Sequence, residues 1–401
     1  MSICNMFALP AWWGGMQLEN MPRGLGLFGA ADDIAVQRGI AEIQAGRPVV
    51  IADTDEMIVA LPVDGLTEAT WSAFKALCGP AVPRLVITAR RARVIGLDVP
   101  GPVFIAVTPR DTRDVILSLA VGLCCERRGV AGVAGDAATR AIELAKLAQR
   151  FPALLVADTK AVAPAMLAQM IVVHDDAITH YGDKILDTLE IVSEARIPLP
   201  DGVTARFCVF RDAVGSSPVA IILGEPDFSK PVNVRVHSAC LTGDVFGSRR
   251  CDCGAQLKLA MAQLSETGGG IVLYLEQEGR GLGLANKMRA YMLQDGGLDT
   301  MDANMMLGFD DDERNYGVAA RMLKMIGVNR VQLLTNNPGK LEALSEGGVE
   351  VCARIALHTE IHPENRRYLA TKAARAGHWL DDMLEVGVEP QREAMKSRTG
   401  S

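Results

Sequence analysis

Three cysteines fall within fourteen residues: Cys240, then ten residues, then Cys251-Asp252-Cys253. Four thiolates usually close a structural zinc site, whereas three ligands leave a position for water, which zinc acidifies to a pKa of about 7. The spacing therefore points to an open, catalytic zinc. The alternatives are three unrelated buried thiols, or a structural site completed by a distant ligand such as His237. Next along the chain, Glu276-Gln277-Glu278-Gly279-Arg280-Gly281-Leu282-Gly283 sets three glycines at alternate positions between a strand and a helix. Backbone N–H groups exposed in such a turn can receive an anion, and Arg280 can add a bidentate grip. It matches neither a dinucleotide-binding nor a Walker pattern, so an ordinary structural turn is the competing reading. Asp310-Asp311-Asp312-Glu313-Arg314 reads as a solvated helix start, or as an Asp general base beside a phosphate-binding Arg. Thr335-Asn336-Asn337-Pro338-Gly339-Lys340 ends a strand where α/β proteins hold ligands, although plain turn chemistry also produces it.

These groups need a scaffold, and apolar periodicity supplies its outline. A helix is expected from Asp33 (Ile34, Val36, Ile40, Ile43), then strands at Val49–Ala52, Arg84–Thr88, Val103–Val107 and Leu154–Ala157. Helices are expected near 67–77, 115–123 and 137–149, and the apolar run 162–173 reads as a buried helix or strand. The segment Ala195-Arg196-Ile197-Pro198-Leu199-Pro200-Asp201-Gly202 is the expected linker. Beyond it, strands at 205–210, 219–223 and 232–237 follow in quick succession, suggesting antiparallel pairing. Strands at 270–275 and 330–334 then alternate with helices near 255–265, 284–293, 318–326 and 339–344. The fold class is α/β (α+β) with two domains: an irregular arm over 1–30, a first domain over 31–196, a second over 197–385 as a mixed sheet with flanking helices, and a flexible tail over 386–401.

Composition narrows the function. Lys plus Arg total 41 against 48 Asp plus Glu, a net charge of −7, which argues against a general nucleic-acid binder. No apolar run reaches the roughly 18–20 residues of a membrane span. The first residues lack a basic leader, and nine cysteines at low density do not form a disulfide framework, so a cytoplasmic protein with reduced thiols is expected. His174, Asp175, Asp176, His180 and Tyr181 read as a solvated loop, His358 and His362 as surface residues, and Cys124-Cys125 as core.

Taken together, the motifs of residues 199–380 resemble GTP cyclohydrolase II. The chain carries HSxCLTGDVFGSxRCDCG, QEGRGxGLxNKxRAY, LGFxxDER and LLTNNPxK in that family's order and spacing. The resemblance implies Cys240, Cys251 and Cys253 as ligands of one zinc ion, Asp312 as proton acceptor, Arg314 as nucleophile toward the α-phosphate, and Tyr291 in imidazole-ring opening. It implies substrate contacts from Arg235, Val236, His237, Ser238, Ala239, Gln256, Glu278, Gly279, Arg280, Thr300, Thr335 and Lys340. The implied reaction is hydrolysis of GTP at guanine C8 with release of formate and pyrophosphate, giving a diaminopyrimidinone ribosylamino phosphate, the first step of riboflavin biosynthesis. Mg²⁺ would accompany the triphosphate, and a homodimer is implied. One departure stands out: the residue before the first zinc ligand is usually Glu in that family and is Ala239 here. Either another acid substitutes or substrate positioning has changed.

The first half is similar, more faintly, to 3,4-dihydroxy-2-butanone 4-phosphate synthase, through Ile40–Asp53 and Arg84–Leu97. Where that enzyme carries a dense acidic loop, this chain reads Asp53-Thr54-Asp55-Glu56-Met57-Ile58-Val59-Ala60. A degenerate domain without synthase activity is therefore expected. Two alternatives to the GTP reaction follow from the same residues. One is a diverged enzyme that stops at a formamido intermediate or opens another purine or pyrimidine; the other is a catalytically silent nucleotide-binding regulator.

Overall fold

The computed structural model describes residues 29–123 and 128–380. The expected N-terminal arm, apart from residues 29 and 30, lies outside the described residues, as do Cys124-Cys125 and the expected tail.

The first half builds seven strands: β1 (Val49–Ala52), β2 (Met57–Pro62), β3 (Arg84–Ile87), β4 (Val103–Ala106), β5 (Val130–Val133), β6 (Ala153–Asp158) and β7 (Val172–His174). Their order is β5-β4-β3-β6-β2-β1-β7, antiparallel throughout except for the β1–β7 pair. Seven helices accompany them: α1 (Ala31–Gln44), α2 (Glu68–Cys78), α3 (Ala89–Val94), α4 (Arg113–Val121), α5 (Asp136–Leu147), α6 (Pro164–Leu167) and α7 (Asp175–Asp187). Helices cover both faces, which is why β1 is apolar at every position. Val50 faces one apolar cluster with Trp71 and Phe151, while Val49 and Ile51 face the other with Val36 and Ile43.

The second half adds β8 (Glu190–Pro198), β9 (Thr204–Arg211), β10 (Val219–Gly224), β11 (Val232–Ser238), β12 (Gly269–Leu275), β13 (Arg330–Leu334) and β14 (Glu350–Ile355). Its helices are α8 (Leu241–Asp244), α9 (Cys253–Glu266), α10 (Leu284–Asp295), α11 (Thr300–Met306), α12 (Gly317–Met325), α13 (Pro338–Glu346) and α14 (Pro363–Ala376). The order is β14-β13-β11-β12-β10-β9-β8, with the first four strands parallel and the rest antiparallel. The mixed α/β class and the second, mixed sheet with flanking helices are as the sequence predicts.

Four expectations are corrected. Residues 195–198 do not link: they complete β8, pairing with β9 from Glu190 to Pro198, and 200–202 form a short 3-10 turn. Pro198 is tolerated because β8 is an edge strand, where a missing N–H costs no ladder bond. β11 is not antiparallel to β10; β12 inserts between them and runs parallel to β11. The run 162–173 is mostly solvent-facing around the short α6: only its ends, Val162 and Val173, are buried, while Met166 and Val172 are exposed. Asp175 to Tyr181 belong to helix α7, which buries Ala177, Ile178 and Tyr181 while His174 and His180 stay exposed. His358 is exposed and His362 half-buried at the start of α14.

The halves are packed together. Leu282, Ala290, Ala303, Leu307 and Phe309 of the second half join the apolar cluster of Trp71 and Phe151. Thr88 Oγ1 donates to the Gly308 carbonyl at 2.8 Å, and the buried Arg91 guanidinium reaches the Met306 carbonyl at 3.3 Å.

Candidate active site

The site lies at the carboxyl ends of parallel strands β11, β12 and β13, where the chain leaves the sheet and side chains can converge. On β11 the period of two sends Val232, Val234 and Val236 into the core and sets Arg235 and His237 on the other face. The strand ends at Ser238, and Cys240 opens α8; Cys251 and Cys253 stand at the start of α9.

The three sulfur atoms lie within 4.8 Å of one another, with Cys240 Sγ and Cys251 Sγ 3.6 Å apart. Tetrahedral ligation at a Zn–S distance of about 2.3 Å separates sulfurs by about 3.8 Å, so the spacing fits a metal of that kind. Hydrogen bonds from Cys251 and Cys253, together with Lys287, whose ammonium donates to its sulfur at 3.0 Å, pull the Cys240 pKa well below that of an ordinary thiol. Two glycines make the cluster possible. A Cβ at Gly243 would sit 3.0–3.2 Å from Cys251 Sγ, Cys240 Sγ and Cys253 Cβ, and one at Gly254 would strike the Gly243 carbonyl at 2.1 Å. His237 is not a fourth ligand: its Nε2 bonds both Asp244 oxygens at 3.1 Å, and Asp244 also accepts from the Cys240 N–H and the Tyr274 hydroxyl.

Beside Cys253 opens a pocket lined by fourteen residues, of which Arg235, Arg280, Arg314, Lys340 and Lys372 are cationic and none is a carboxylate. Arg235 and Lys340 are each only 5% exposed. Burial, with Arg235, Arg314 and Lys372 nearby, holds the Lys340 pKa well below its ordinary value. The positive charge is partly tied down from behind: Lys372 donates to Asp252 at 2.8 Å, Gln256 to Asp252 at 2.6 Å, and Arg235 to Gln256 at 2.7 Å. What remains unanswered belongs to residues that line the pocket. Arg235 Nε, His237 Nδ1 and Ser238 Oγ are buried without a hydrogen-bond partner, although each lies on a pocket-lining residue. Buried orphans of this kind are costly unless a ligand satisfies them.

The glycine-rich turn is left-handed at Gly279, Arg280, Gly281 and Gly283. Glycine adopts such a backbone freely, but Arg280 at φ +63 does so at a cost that its surroundings must offset. Its guanidinium lines the pocket, and its carbonyl accepts from the Glu313 N–H at 3.0 Å. Arg314 is locked to Asp312 through two bonds of 2.7 and 2.5 Å. Burial opposes charge on Asp312, yet Arg314 more than offsets it and holds the carboxyl below the ordinary range. Burial and neighbouring Lys372 push His378 down to about 2, so the ring is neutral.

The pocket thus gathers Arg235, His237, Ser238, Gln256, Arg280, Arg314, Thr335 and Lys340 with Cys253. Val236 contributes its carbonyl as acceptor for Lys340 at 2.9 Å, and Asp312 stands behind Arg314. Tyr291 is outside the lining, under the Arg250 guanidinium at 4.4 Å and 5.6 Å from Lys287 Nζ. Thr300 opens α11 and lines a neighbouring cavity, on the other side of Tyr368. At Ala239 the missing carboxylate has a neighbour in Glu278, which accepts from the Leu241 N–H and from Lys287, both at 2.7 Å. The sequence reading missed Asn336, Asn337, Tyr368, Lys372 and His378 as lining residues. The first two lay inside a recognised strand-end motif; the last three come from α14 and the turn after it, where nothing in the pattern says what the helix packs upon.

A sulfur cluster of metal-binding geometry beside a buried cationic pocket defines an enzyme-like site for a polyanionic ligand. The GTP cyclohydrolase II family model matches residues 190–356. A GTP cyclohydrolase-2 of Xylella fastidiosa (strain Temecula1) is 40% identical over 358 residues, 88% of this chain and 89% of the relative. One from Enterobacter sp. (strain 638) is 48% identical over 194 residues, 48% of this chain but 99% of the relative. A solved two-domain 3,4-dihydroxy-2-butanone 4-phosphate synthase from A. baumannii aligns over 81% of this chain and 99% of its own at 15% identity and a TM-score of 0.29, too loose a likeness to bear on either half. The chain belongs to the GTP cyclohydrolase II family and is a hydrolase of that family.

Proposed function

We propose that this protein opens the guanine ring of GTP at C8, releasing formate and pyrophosphate and leaving the diaminopyrimidinone ribosylamino phosphate that begins riboflavin biosynthesis. The observation that carries the reading is the convergence of five cations and three unsatisfied buried polar atoms beside the sulfur cluster. A triphosphate supplies the charge those cations lack, and a purine edge supplies partners for orphaned donors and acceptors.

Zinc held by Cys240, Cys251 and Cys253 would supply Lewis-acid activation of water. The protein's own groups do the rest. Arg235, Arg280, Arg314 and Lys340 bind phosphate oxygens, with Mg²⁺ sharing their charge. Burial opposes the charge on Arg314, but its neighbours, Asp312 among them, keep it a cation that is paired with Asp312 at rest and can grip a phosphate once substrate is bound. Asp312 orients that guanidinium and can take a proton once substrate draws Arg314 away. Glu278 provides the acid that Ala239 does not, and Lys287 steadies both it and the Cys240 sulfur. A homodimer in the cytoplasm is part of the same reading. Among the described residues, no helix is long and apolar enough to cross a membrane.

The test is purified full-length chain with GTP, Mg²⁺ and zinc. One formate and one pyrophosphate per GTP are expected, with the pyrimidinone absorbance rising in step. Pyrophosphate without formate would replace this reading with the formamido-stage enzyme. Stoichiometric zinc and GTP binding without turnover would make the chain a nucleotide-binding regulator.

A further inference from the structure

The first half has no evident duty in this chemistry, and the 194-residue match to the Enterobacter relative covers that protein almost entirely without one. Here, however, the first half touches the loop that carries Asp312 and Arg314. Lys146 on α5 donates to Asp310 Oδ2 at 2.9 Å and lies 2.6 Å from Glu313 Oε1. Arg90 on α3 reaches the other Asp310 oxygen at 3.1 Å. Glu313 is fixed from three further sides. Its carboxylate accepts from the Asp310 N–H at 2.9 Å, its own N–H donates to the Arg280 carbonyl, and a Cβ at Gly281 would come within 2.8 Å of its carbonyl group. Glu313 cannot shift without moving Arg280 on one side and Arg314 on the other, and both line the pocket.

The same contact extends to the glycine-rich turn. Gln149, just after α5, and Arg280 are the two non-glycine residues with positive φ among the described residues. Gln149 packs where a Cβ at Gly283 would meet its Oε1 at 2.7 Å, and its carbonyl accepts from Asn286 Nδ2 at 3.1 Å. Both unfavourable backbones therefore sit in elements that face one another across the junction, each held by the packing there.

We propose that the first half of this chain is a positioning element for the second, with Lys146 and Arg90 clamping Asp310 and Glu313 so that Asp312 and Arg314 are presented to the pocket. The inference rests on the reading that Asp312 and Arg314 serve the GTP reaction. Lys146 and Arg90 are positioning residues, since neither lines the pocket. Without the ammonium, two carboxylates three residues apart repel each other and the loop loosens. Misplacement of reacting groups by about 1 Å costs up to about a hundredfold in rate.

The experiment compares full-length K146M, K146R and V36A at a temperature where all remain folded and zinc-loaded. Val36 is buried in the first half's other apolar cluster and touches no part of the loop, so V36A lowers stability without altering the clamp. For K146M, turnover should fall about tenfold at unchanged zinc content, K146R should recover most of it by re-forming the ion pairs, and V36A should turn over like wild type. Wild-type turnover in K146M, or an equal loss in V36A, would overturn the clamp while leaving the GTP reading intact. A wild-type chain that turns over no GTP would instead sink the reading beneath it, and the clamp with it. Should K146M fail to fold, R90M against R90K on the more exposed Arg90 gives the same comparison.

Discussion

Each half of this chain holds a sheet of seven strands flanked by helices, and each leaves buried polar atoms unbonded. In the first half Glu56 Oε1 and Arg140 Nε lie apart, on a loop and on α5, whereas in the second three such atoms belong to residues lining one pocket. In the first half, Asp53 spends its carboxylate on the backbone N–H groups of Asp55, Glu56 and Ala137. That is loop closure, done by a residue whose type alone could suggest chemistry. In the second half, Arg235, His237 and Ser238 each keep a buried atom unsatisfied, and they do so around one pocket. A working site is thus recognised less by its residue types, or by an unmade hydrogen bond as such, than by several unmade bonds gathered on one pocket.

The sharpest way to break this contrast is to strike one group in each half. C251S should lose zinc and at least about a thousandfold in GTP turnover, because two sulfurs cannot hold the metal open for chemistry. D53N should stay within about twofold of wild type, and neither the parent chain nor the variant should make butanone phosphate from ribulose 5-phosphate. Metal analysis and formate release decide the first pair, and product analysis the second. Synthase activity would mean that the first half holds a site after all.

Next in size, D312N keeps the shape of the Arg314 partner but removes its charge. A loss of about a hundredfold or more in turnover at unchanged zinc content is expected. A variant close to wild type would reduce Asp312 to a structural ion pair.

A purely structural change should read differently. Trp71 is fully buried, donates its indole N–H to the Asp111 carbonyl at 2.8 Å, and packs in the cluster the halves share. W71A should cost about 3–5 kcal/mol in denaturant unfolding. If that cost appeared without any sign of weakened attachment between halves, the shared cluster would not be the cooperative unit its packing implies.

The smallest expected effect is a pH dependence of the junction. Burial raises the Asp310 pKa, but Lys146 and Arg90 more than offset this and hold it below the ordinary value. A carboxyl depressed in the folded state contributes its stabilisation fully above the unfolded pKa of about 3.9 and loses it as pH falls through the lower folded value. The gap in Tm between wild type and D310N should therefore be present at pH 6 and close on acidification below about pH 4. A gap that widened instead would show the carboxylate to be a burden on the fold.

The parts legible in the sequence were those whose partners are close along the chain. The Cys240, Cys251 and Cys253 trio declared itself because α8 and α9 are joined by a short loop. Arg235 and His237 came from the resemblance, with all of Arg235 to Ala239; alternation along β11 explains why those two leave the core. Tyr368, Lys372 and His378 were not legible, because an amphipathic helix shows which face is buried but not against what. The segment Ala195 to Gly202 misled as a linker, since proline is equally at home on an edge strand such as β8. The alternating run of strands before residue 240 gave the elements but not the insertion of β12 between β10 and β11.

The sequence by itself determined the cysteine trio, the glycine-rich turn and most strands of both sheets, but not β2, β5, β7, β8, β14 or helix α14. What it determined follows from local spacing and backbone freedom. Only the tertiary structure decided that Lys146 meets Asp310, 164 positions away, and that α14 lends Lys372 to Asp252 between two of the clustered cysteines. Contacts at such separation depend on how whole layers pack, and no local pattern of side chains encodes which face will meet which.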